Sequence, residues 1–173
     1  QRGTTMCDND LLEKEVGHSI RLAVAHIDTA MTDLTPVRIH ILDTPGYPDY
    51  LGQDMSALDA VKSVCAVIDP TKGPELLTRR LMAMAKERGL CRMIVINHMD
   101  DPDADLEKCL RELQETWGPG VLPINLPTRN RTHVIDCFDR EDGDSDIMTV
   151  DDVHRAFIER VVEEDDEMLE RYL

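Results

Sequence analysis

No apolar run in the sequence approaches the length needed to cross a bilayer, so a transmembrane helix is not expected. The first residues are polar and charged and carry no signal-peptide pattern. Cysteines stand at 7, 65, 91, 109 and 137 without a Cys-x-x-Cys pair. That argues against a disulfide frame or a zinc site and predicts reduced thiols in a cytoplasmic protein. Positive charge is scarce: 19 Lys and Arg face 35 Asp and Glu, a net −16. Strong independent nucleic-acid binding, which needs a broad cationic grip on phosphates, is therefore not expected. Also missing is any Gly-x-x-x-x-Gly-Lys-Ser/Thr, the loop that cradles phosphates. What remains is ordinary globular material: 173 residues, 42% hydrophobic and 31% charged, enough for one domain with a sizeable core.

Residues 1–20 lack a sustained period and read as a loop. Arg21 to Ile27 and Val37 to Leu42 alternate apolar with polar, as half-buried strands do. A helical face through Met55, Leu58 and Val61 runs to about Ser63. Val64 to Asp69 is continuously apolar, the pattern of a parallel strand covered on both faces. A helix follows over Glu75 to Arg88 and stops at Gly89, and a strand over Cys91 to Asn97 comes next. Asp103 can cap a helix whose stripe is Leu106, Cys109, Leu110, Leu113 and Trp117. Val121 to Leu126 reads as another strand, and residues 139–146 as a solvated acidic loop. Thr149 with Asp152 opens a last helix to about Tyr172, burying Val153, Phe157, Val161, Met168 and Tyr172. Strand and helix in alternation predict a mostly parallel α/β sheet.

The chemistry concentrates at two strand ends. Val37 to Leu42 runs into Asp43-Thr44-Pro45-Gly46, which puts a carboxylate and a bare backbone N–H where α/β sheets bind ligands. In a GTP-binding domain this Asp holds Mg²⁺, usually through water, and the Gly N–H senses the γ-phosphate. Cys91 to Ile96 ends in Asn97-His98-Met99-Asp100, which looks like a guanine-reading Asn-Lys-x-Asp. A carboxylate at Asp100 can accept both the ring N–H and the exocyclic amine of guanine, which adenine does not offer. Alone, Asn97 and Asp100 read more readily as turn and cap residues, by roughly two to one. The Asp43 element, about fifty residues upstream, reverses that balance. Ser19, in Val16-Gly17-His18-Ser19-Ile20, could bring a hydroxyl to Mg²⁺, or be a plain loop serine. Tyr47 stands where hydrolysing relatives orient the attacking water; a phenol is a poor base near neutral pH, and packing is an equal reading.

Other candidates have bland readings. His26 and His40 lack a third ligand at metal spacing, and the Met82/Met84 pair suits a helix core. Asp142-Gly143-Asp144-Ser145-Asp146 lacks the closing Glu of a calcium loop, and Glu163 to Glu167 reads as a solvated face.

In order along the chain, these segments resemble the GTP-binding domain of bacterial elongation factor G and its paralogues. The resemblance runs from Arg2-Gly3-Thr4-Thr5 and Glu13 to Ile20, similar to switch I, through the Asp43 and Asn97 elements. It continues over Gly118 to Pro127 and Val134-Ile135-Asp136, like the entry to the family's inserted subdomain, and over Glu163 to Leu173, like the helix leaving it. The resemblance implies a P-loop GTPase-like α/β fold with a mostly parallel sheet flanked by helices, incomplete at the N-terminus. It implies residues 1–126 as a partial GTP-binding domain and 127–173 as a shortened inserted subdomain. GTP or GDP and Mg²⁺ are the implied cofactors, and the ribosome the implied partner, in translocation or a related step. By resemblance, Asp43 and Ser19 serve Mg²⁺, Gly46, Asn97, His98 and Asp100 serve the nucleotide, and Tyr47 replaces the water-orienting residue.

The sequence departs from that family in its missing phosphate loop, in Val16 and Ser19 where Arg and Thr are usual, and in Tyr47, often His in translating members. His98 replaces a Lys that packs over the base. The family's last guanine-contacting loop and later domains are also absent, so the chain reads as a piece of a larger protein. It is expected to bind GTP weakly or not at all by itself and to be inactive alone, the intact parent being the GTP hydrolase. In this fold the strand feeding the phosphate loop lies mid-sheet, which predicts a gap between the strands Val37–Leu42 and Val64–Asp69. The alternative reading is a degenerate, non-hydrolysing domain serving as a ribosome- or protein-binding module.

Overall fold

A computed structural model describes residues 7, 10–31 and 34–163. The sequence elements Arg2 to Thr5 and Glu164 to Leu173, with Met168 and Tyr172, lie outside the described residues. The chain forms two compact units, Gln1–Ala66 with Leu77–Met93, and Val67–Leu76 with Ile94–Leu173.

In the first unit, α1 (Leu11–Val16) replaces the expected loop. Its apolar residues Leu11, Leu12 and Val16 are exposed, so no buried face announces it. Local capping holds it instead: the Asp10 carboxylate accepts from Leu12 N at 2.9 Å, and Glu13 reaches back to Asp10 N at 3.2 Å. Gly17 closes it at φ 79°, a left-handed conformation suited to glycine. β1 (Ala23–Ala30) and β2 (Pro36–Asp43) pair antiparallel, with Ala23 opposite Asp43 and His26 opposite His40. A 3₁₀ turn, Pro48–Tyr50, leads into α2 (Leu51–Leu58), which stops five residues short of the expected Ser63. Met55, taken for its apolar face, is exposed; Asp54, Ala57 and Leu58 form the buried side. β3 (Ser63–Ile68), α3 (Leu76–Glu87) and β4 (Cys91–Ile96) follow. Arg88 joins the end of α3 to Asp59 after α2 at 3.1 Å, and Met82 and Ala85 are α3's buried residues.

β3 and β4 pair with each other. Cys91 N donates to Lys62 O and Asn97 N to Ile68 O, so both strands advance in the same direction and the pair is parallel. The expected cover on both faces is not found. Val67 is 62% exposed and Met93 50%, and Cys65 and Val95 are exposed too. In the second unit Ile68, Ile94 and Ile96 are covered by Cys109, Leu113 and Trp117 of α4 (Leu106–Trp117), which explains the buried side. Asp105, not Asp103, caps that helix, accepting from Lys108 N at 2.9 Å. Among the described residues the strands make three two-stranded sheets, and β2 and β3 do not pair, which agrees with the expected gap.

The strand expected over Val121 to Leu126 shrinks to β5 (Asn125–Pro127), antiparallel to β6 (Val134–Asp136). Val121 is instead tied into a turn, its N–H donating to Gly118 O and its carbonyl accepting from Gln114 Nε2, and Pro123 has no N–H for a ladder. Leu126, Ile135 and Cys137 pack with Val150 and Val153 of α5 (Val150–Val162), the second core of this unit. Thr149 caps α5 as expected, its hydroxyl accepting from Asp152 N at 3.2 Å. Val162 rather than Val161 faces inward, and Phe157 meets Phe138 edge-on at 5.4 Å. No helix among the described residues is long and apolar enough to cross a membrane.

Candidate nucleotide-binding site

The first unit carries the Asp43 half. β2 delivers Asp43 half-buried at its carboxyl end, Pro45 is fully buried, and Gly46 is exposed with open space around its α-carbon. Burying Pro45 fixes the turn without costing a donor, since proline has no N–H to satisfy. Tyr47 then precedes the 3₁₀ turn in extended backbone, φ −107° and ψ 141°.

The segment holding Ser19 is tied down from two sides. Glu13, only 4% exposed, accepts from Ile20 N at 2.9 Å and Arg21 N at 3.0 Å through one carboxylate oxygen. Gln53 of α2 accepts from Leu22 N at 2.6 Å and donates to Ile20 O at 2.8 Å. α1 and α2 thus clamp residues 20–22 by charge-assisted and amide hydrogen bonds. His18 bridges this segment to the Asp43 turn: its ring centroid lies 4.3 Å from that of Tyr47, the planes inclined by 43°. His18 Nδ1 is 3.2 Å from Ser19 O. A carbonyl can only accept, so that contact puts the proton on Nδ1 and leaves Nε2 an acceptor in the neutral ring. The loop of Ser19 and the turn of Tyr47 are therefore brought together, through His18, which the sequence reading passed over.

Beside them sits a buried charge. Asp54 is 3% exposed, and neither carboxylate oxygen closes a hydrogen bond. Burial pushes its carboxyl above the ordinary range, and the nearby Thr44 hydroxyl offsets part of that rise.

The second unit carries the Asn97–Asp100 element. Asn97 continues β4 by donating its N–H to Ile68 O at 2.9 Å. His98 then takes a left-handed φ of 55°, which swings the chain out of the strand. Asp101 N returns to His98 O at 3.1 Å, Asp103 N to Asp101 Oδ1 at 2.9 Å and Ala104 N to Asp101 O at 3.0 Å. Asn97, His98 and Asp100 are all exposed on this loop, available to a ligand. His98 Nδ1 stands 3.9 Å from Asp69 Oδ2. The Thr71 hydroxyl and amide, at 2.7 and 2.9 Å, hold the Asp69 carboxyl below its usual range, and Lys72 and His98 add to this. From the neighbouring hairpin, Arg131 Nη1 donates to the carbonyls of Met99, Asp101 and Ala104. Sequence reasoning missed Arg131, since Thr128-Arg129-Asn130-Arg131-Thr132-His133 reads as an ordinary polar turn.

Mg²⁺ takes hard oxygen ligands, commonly one or two carboxylates completed by waters and phosphates. Asp43 and the Ser19 hydroxyl suit that role only jointly with a triphosphate. Among the described residues no group of three or more His, Cys, Asp or Glu could hold a metal ion unaided. His26 and His40, 6.2 Å apart between centroids, accordingly remain a cross-strand pair. Asp144, within the stretch that partly resembles a calcium loop, is engaged by Arg129 at 3.0 Å.

The elongation factor Tu GTP binding domain family matches residues 1–170. An elongation factor G-like protein of Mycobacterium tuberculosis is 29% identical over 99% of the chain, which covers 25% of that protein. Mitochondrial ribosome-releasing factor 2 of Drosophila melanogaster is 34% identical over 78% of the chain, covering 17% of it. A solved structure from Thermus thermophilus superimposes with a TM-score of 0.79 at 27% identity, over 98% of this chain and 27% of that one. The chain thus spans about a quarter of the length of the first of these relatives. By fold and by sequence it belongs to the elongation factor Tu GTP-binding domain family, the guanine-nucleotide domain of translational GTPases.

Proposed function

We propose that the chain supplies the metal-facing and base-reading parts of a guanine-nucleotide switch in an elongation factor G-like protein acting on the ribosome. The family match over residues 1–170 supports this reading, because that span contains both strand-end elements. In it the Asp43 carboxylate accepts from the water ligands of Mg²⁺, the Gly46 N–H donates to a terminal phosphate oxygen, and Ser19 closes the switch loop. Asn97 and Asp100 read the guanine edge, and His98 lies against the base in place of the usual Lys. Tyr47 orients water near the terminal phosphate. Bound GTP with its metal supplies the phosphoanhydride to be cleaved; the chain's own part is positioning and charge stabilisation. We assign residues 127–173 to a shortened inserted subdomain, appended to the partial GTP-binding domain of residues 1–126.

Phosphate affinity in this class comes mainly from glycine-rich-loop N–H groups and a lysine, which the sequence does not contain. Titration calorimetry of the chain with GTP and Mg²⁺ is therefore expected to show no saturation below millimolar concentrations. Micromolar affinity would refute that expectation. Placing a phosphate-loop segment upstream should bring affinity into the micromolar range and permit ribosome-stimulated hydrolysis. Asp100→Ala should then abolish selection of GTP over ATP; retained selection would overturn the base-reading assignment.

One observation favours a second reading, a domain that binds without hydrolysing. Tyr47, at the water-orienting position, lies against His18, the ring centroids 4.3 Å apart and the planes inclined by 43°, rather than standing clear. Ribosome association with no turnover, in the form carrying a phosphate loop, would support that module over the enzyme.

A further inference from the structure

The hairpin of β5 and β6 ends in a six-residue tip, and one side chain leaves it for the loop of Asn97 and Asp100. Arg131 Nη1 lies 3.2 Å from Met99 O, 3.4 Å from Asp101 O and 3.2 Å from Ala104 O. Three carbonyl oxygens converging on one point repel each other unless a cationic donor sits among them. The loop's path between His98 and Ala104 therefore depends on that guanidinium.

The tip is built to present it. Asn130 Oδ1 accepts from Thr128 Oγ1 at 2.7 Å, Thr132 N at 3.2 Å and Thr132 Oγ1 at 2.8 Å. Thr128 N donates to His133 O at 2.9 Å, and Arg131 N to Thr128 O at 2.7 Å. Within this knot Arg131 adopts φ 55°, a conformation uncommon for a side chain of its size and one that clusters at functional positions. At the receiving end His98 also has φ 55°, so both the hairpin tip and the loop hold unusual backbone where they meet.

We propose that Arg131 is the positioning residue of the base-reading loop: it holds Asn97 and Asp100 in the conformation that selects guanine, and makes that selection depend on the β5–β6 hairpin. The inference rests on the assignment of Asn97 and Asp100 to the base. It adds a determinant from outside the loop, reaching across 27 to 32 residues of sequence. All three carbonyls face a single guanidinium nitrogen, whose two N–H bonds they share, so the fixed positive charge of the guanidinium rather than its fork is what the loop uses.

Two readouts on the whole chain test it and keep its failure apart from that of the proposed function. Amide exchange of Asp101 and Ala104 reports the loop, and exchange of Thr128 reports the hairpin. Arg131→Gln is expected to accelerate the loop amides at least tenfold with Thr128 unchanged. Arg131→Asn, whose short side chain tolerates a left-handed backbone, should do the same and guards against a folding artefact of the first variant. Arg131→Lys should restore part of the protection. The second readout is nuclear magnetic resonance titration at millimolar nucleotide, comparing GDP with IDP, which lacks the exocyclic amine. Arg131→Gln should shrink the GDP preference several-fold, a change a purely structural support would not produce. Unchanged loop exchange in both Gln and Asn variants overturns the proposal, as does an intact GDP preference alongside a loosened loop. If the native chain shows no GDP shifts, the missing phosphate loop accounts for it, and the same GDP-against-IDP comparison is made on the form carrying that loop upstream. There, no preference for GDP overturns the base-reading assignment, and a preference that survives Arg131→Gln overturns the role of Arg131.

Discussion

Replacing Asp54 by Asn should stabilise the chain at neutral pH, and the gain should vanish in acid. Asp54 is 3% exposed, and the Thr44 hydroxyl beside it, short of a closed hydrogen bond, only partly eases the burial of its carboxylate. An unsatisfied buried polar group costs about 1–3 kcal/mol, and more when charged. Asn keeps the shape and opens no cavity, but its amide is also short of partners, so only the charge-related part is recovered. A net gain of about 1 kcal/mol follows, a factor of about five in the folded-to-unfolded ratio. The pH dependence has a fixed sign. Burial raises the folded carboxyl above its unfolded value, so between the two the folded state binds more protons. Native stability then falls as pH rises through that window, a loss that the Asp54→Asn variant does not share. The assay is urea unfolding of both proteins from pH 3 to 8, with the difference plotted against pH. The difference should approach zero below the ordinary carboxylate range and reach a plateau above the raised one. A variant less stable than the parent at pH 7 would mean that the carboxylate has a partner. A gain independent of pH would mean that charge is not its cause.

Two further substitutions probe the supports of the Ser19 segment in the first unit and the second core of the other unit. Glu13→Gln removes the charge that Asp10 N, Ile20 N and Arg21 N share, and turns an amide donor toward one of these N–H groups. Losing charge-assisted bonds of this kind costs about 2 kcal/mol, and amide exchange at Ile20 and Arg21 should rise by an order of magnitude or more. Gly143→Ala places a methyl 2.7 Å from Ile135 Cδ1 and 3.1 Å from Val150 Cγ2, inside the second core. Overpacking of this size should cost about 1–3 kcal/mol in chemical denaturation; an unchanged midpoint would show that the acidic loop can move away.

The elements that sequence revealed were those whose signal is local. Asp43 closes one apolar run and Asn97 follows another, and the residues after each are turn formers, so the strand ends could be placed to within a residue. The errors have equally physical sources. α1 buries no apolar face, so hydrophobic periodicity was blind to it; Asp10 and Glu13, spaced as a capping box, were the available signal. In α2 the apolar Met55 pointed to the wrong side, because the buried face includes Asp54, which burial statistics would assign to solvent. A continuous apolar strand was taken as covered on both faces, yet Val67 and Met93 are exposed, since the pattern reports what a strand could bury and not what is present to bury it.

For the candidate site the division is sharper. Residues that would touch the nucleotide follow strand ends, where a short motif is enough to suggest them. Those that hold them act over distances that no motif spans: Gln53 fastens Ile20 and Leu22 from 31 to 33 residues away, and Arg131 fastens Met99 from 32. Neither is marked by composition, because a Gln on a helix and an Arg in a polar turn are the ordinary occupants of such places. What distinguishes them is the set of backbone groups they satisfy: an amide and a carbonyl for Gln53, three carbonyls for Arg131. Backbone groups are the same in every residue, so their demand for partners leaves no trace in the sequence. It follows that a change at a candidate site position, such as His98 or Tyr47, is visible from sequence. Loss of Gln53 or Arg131, which hold backbone groups near those positions, would pass unnoticed there.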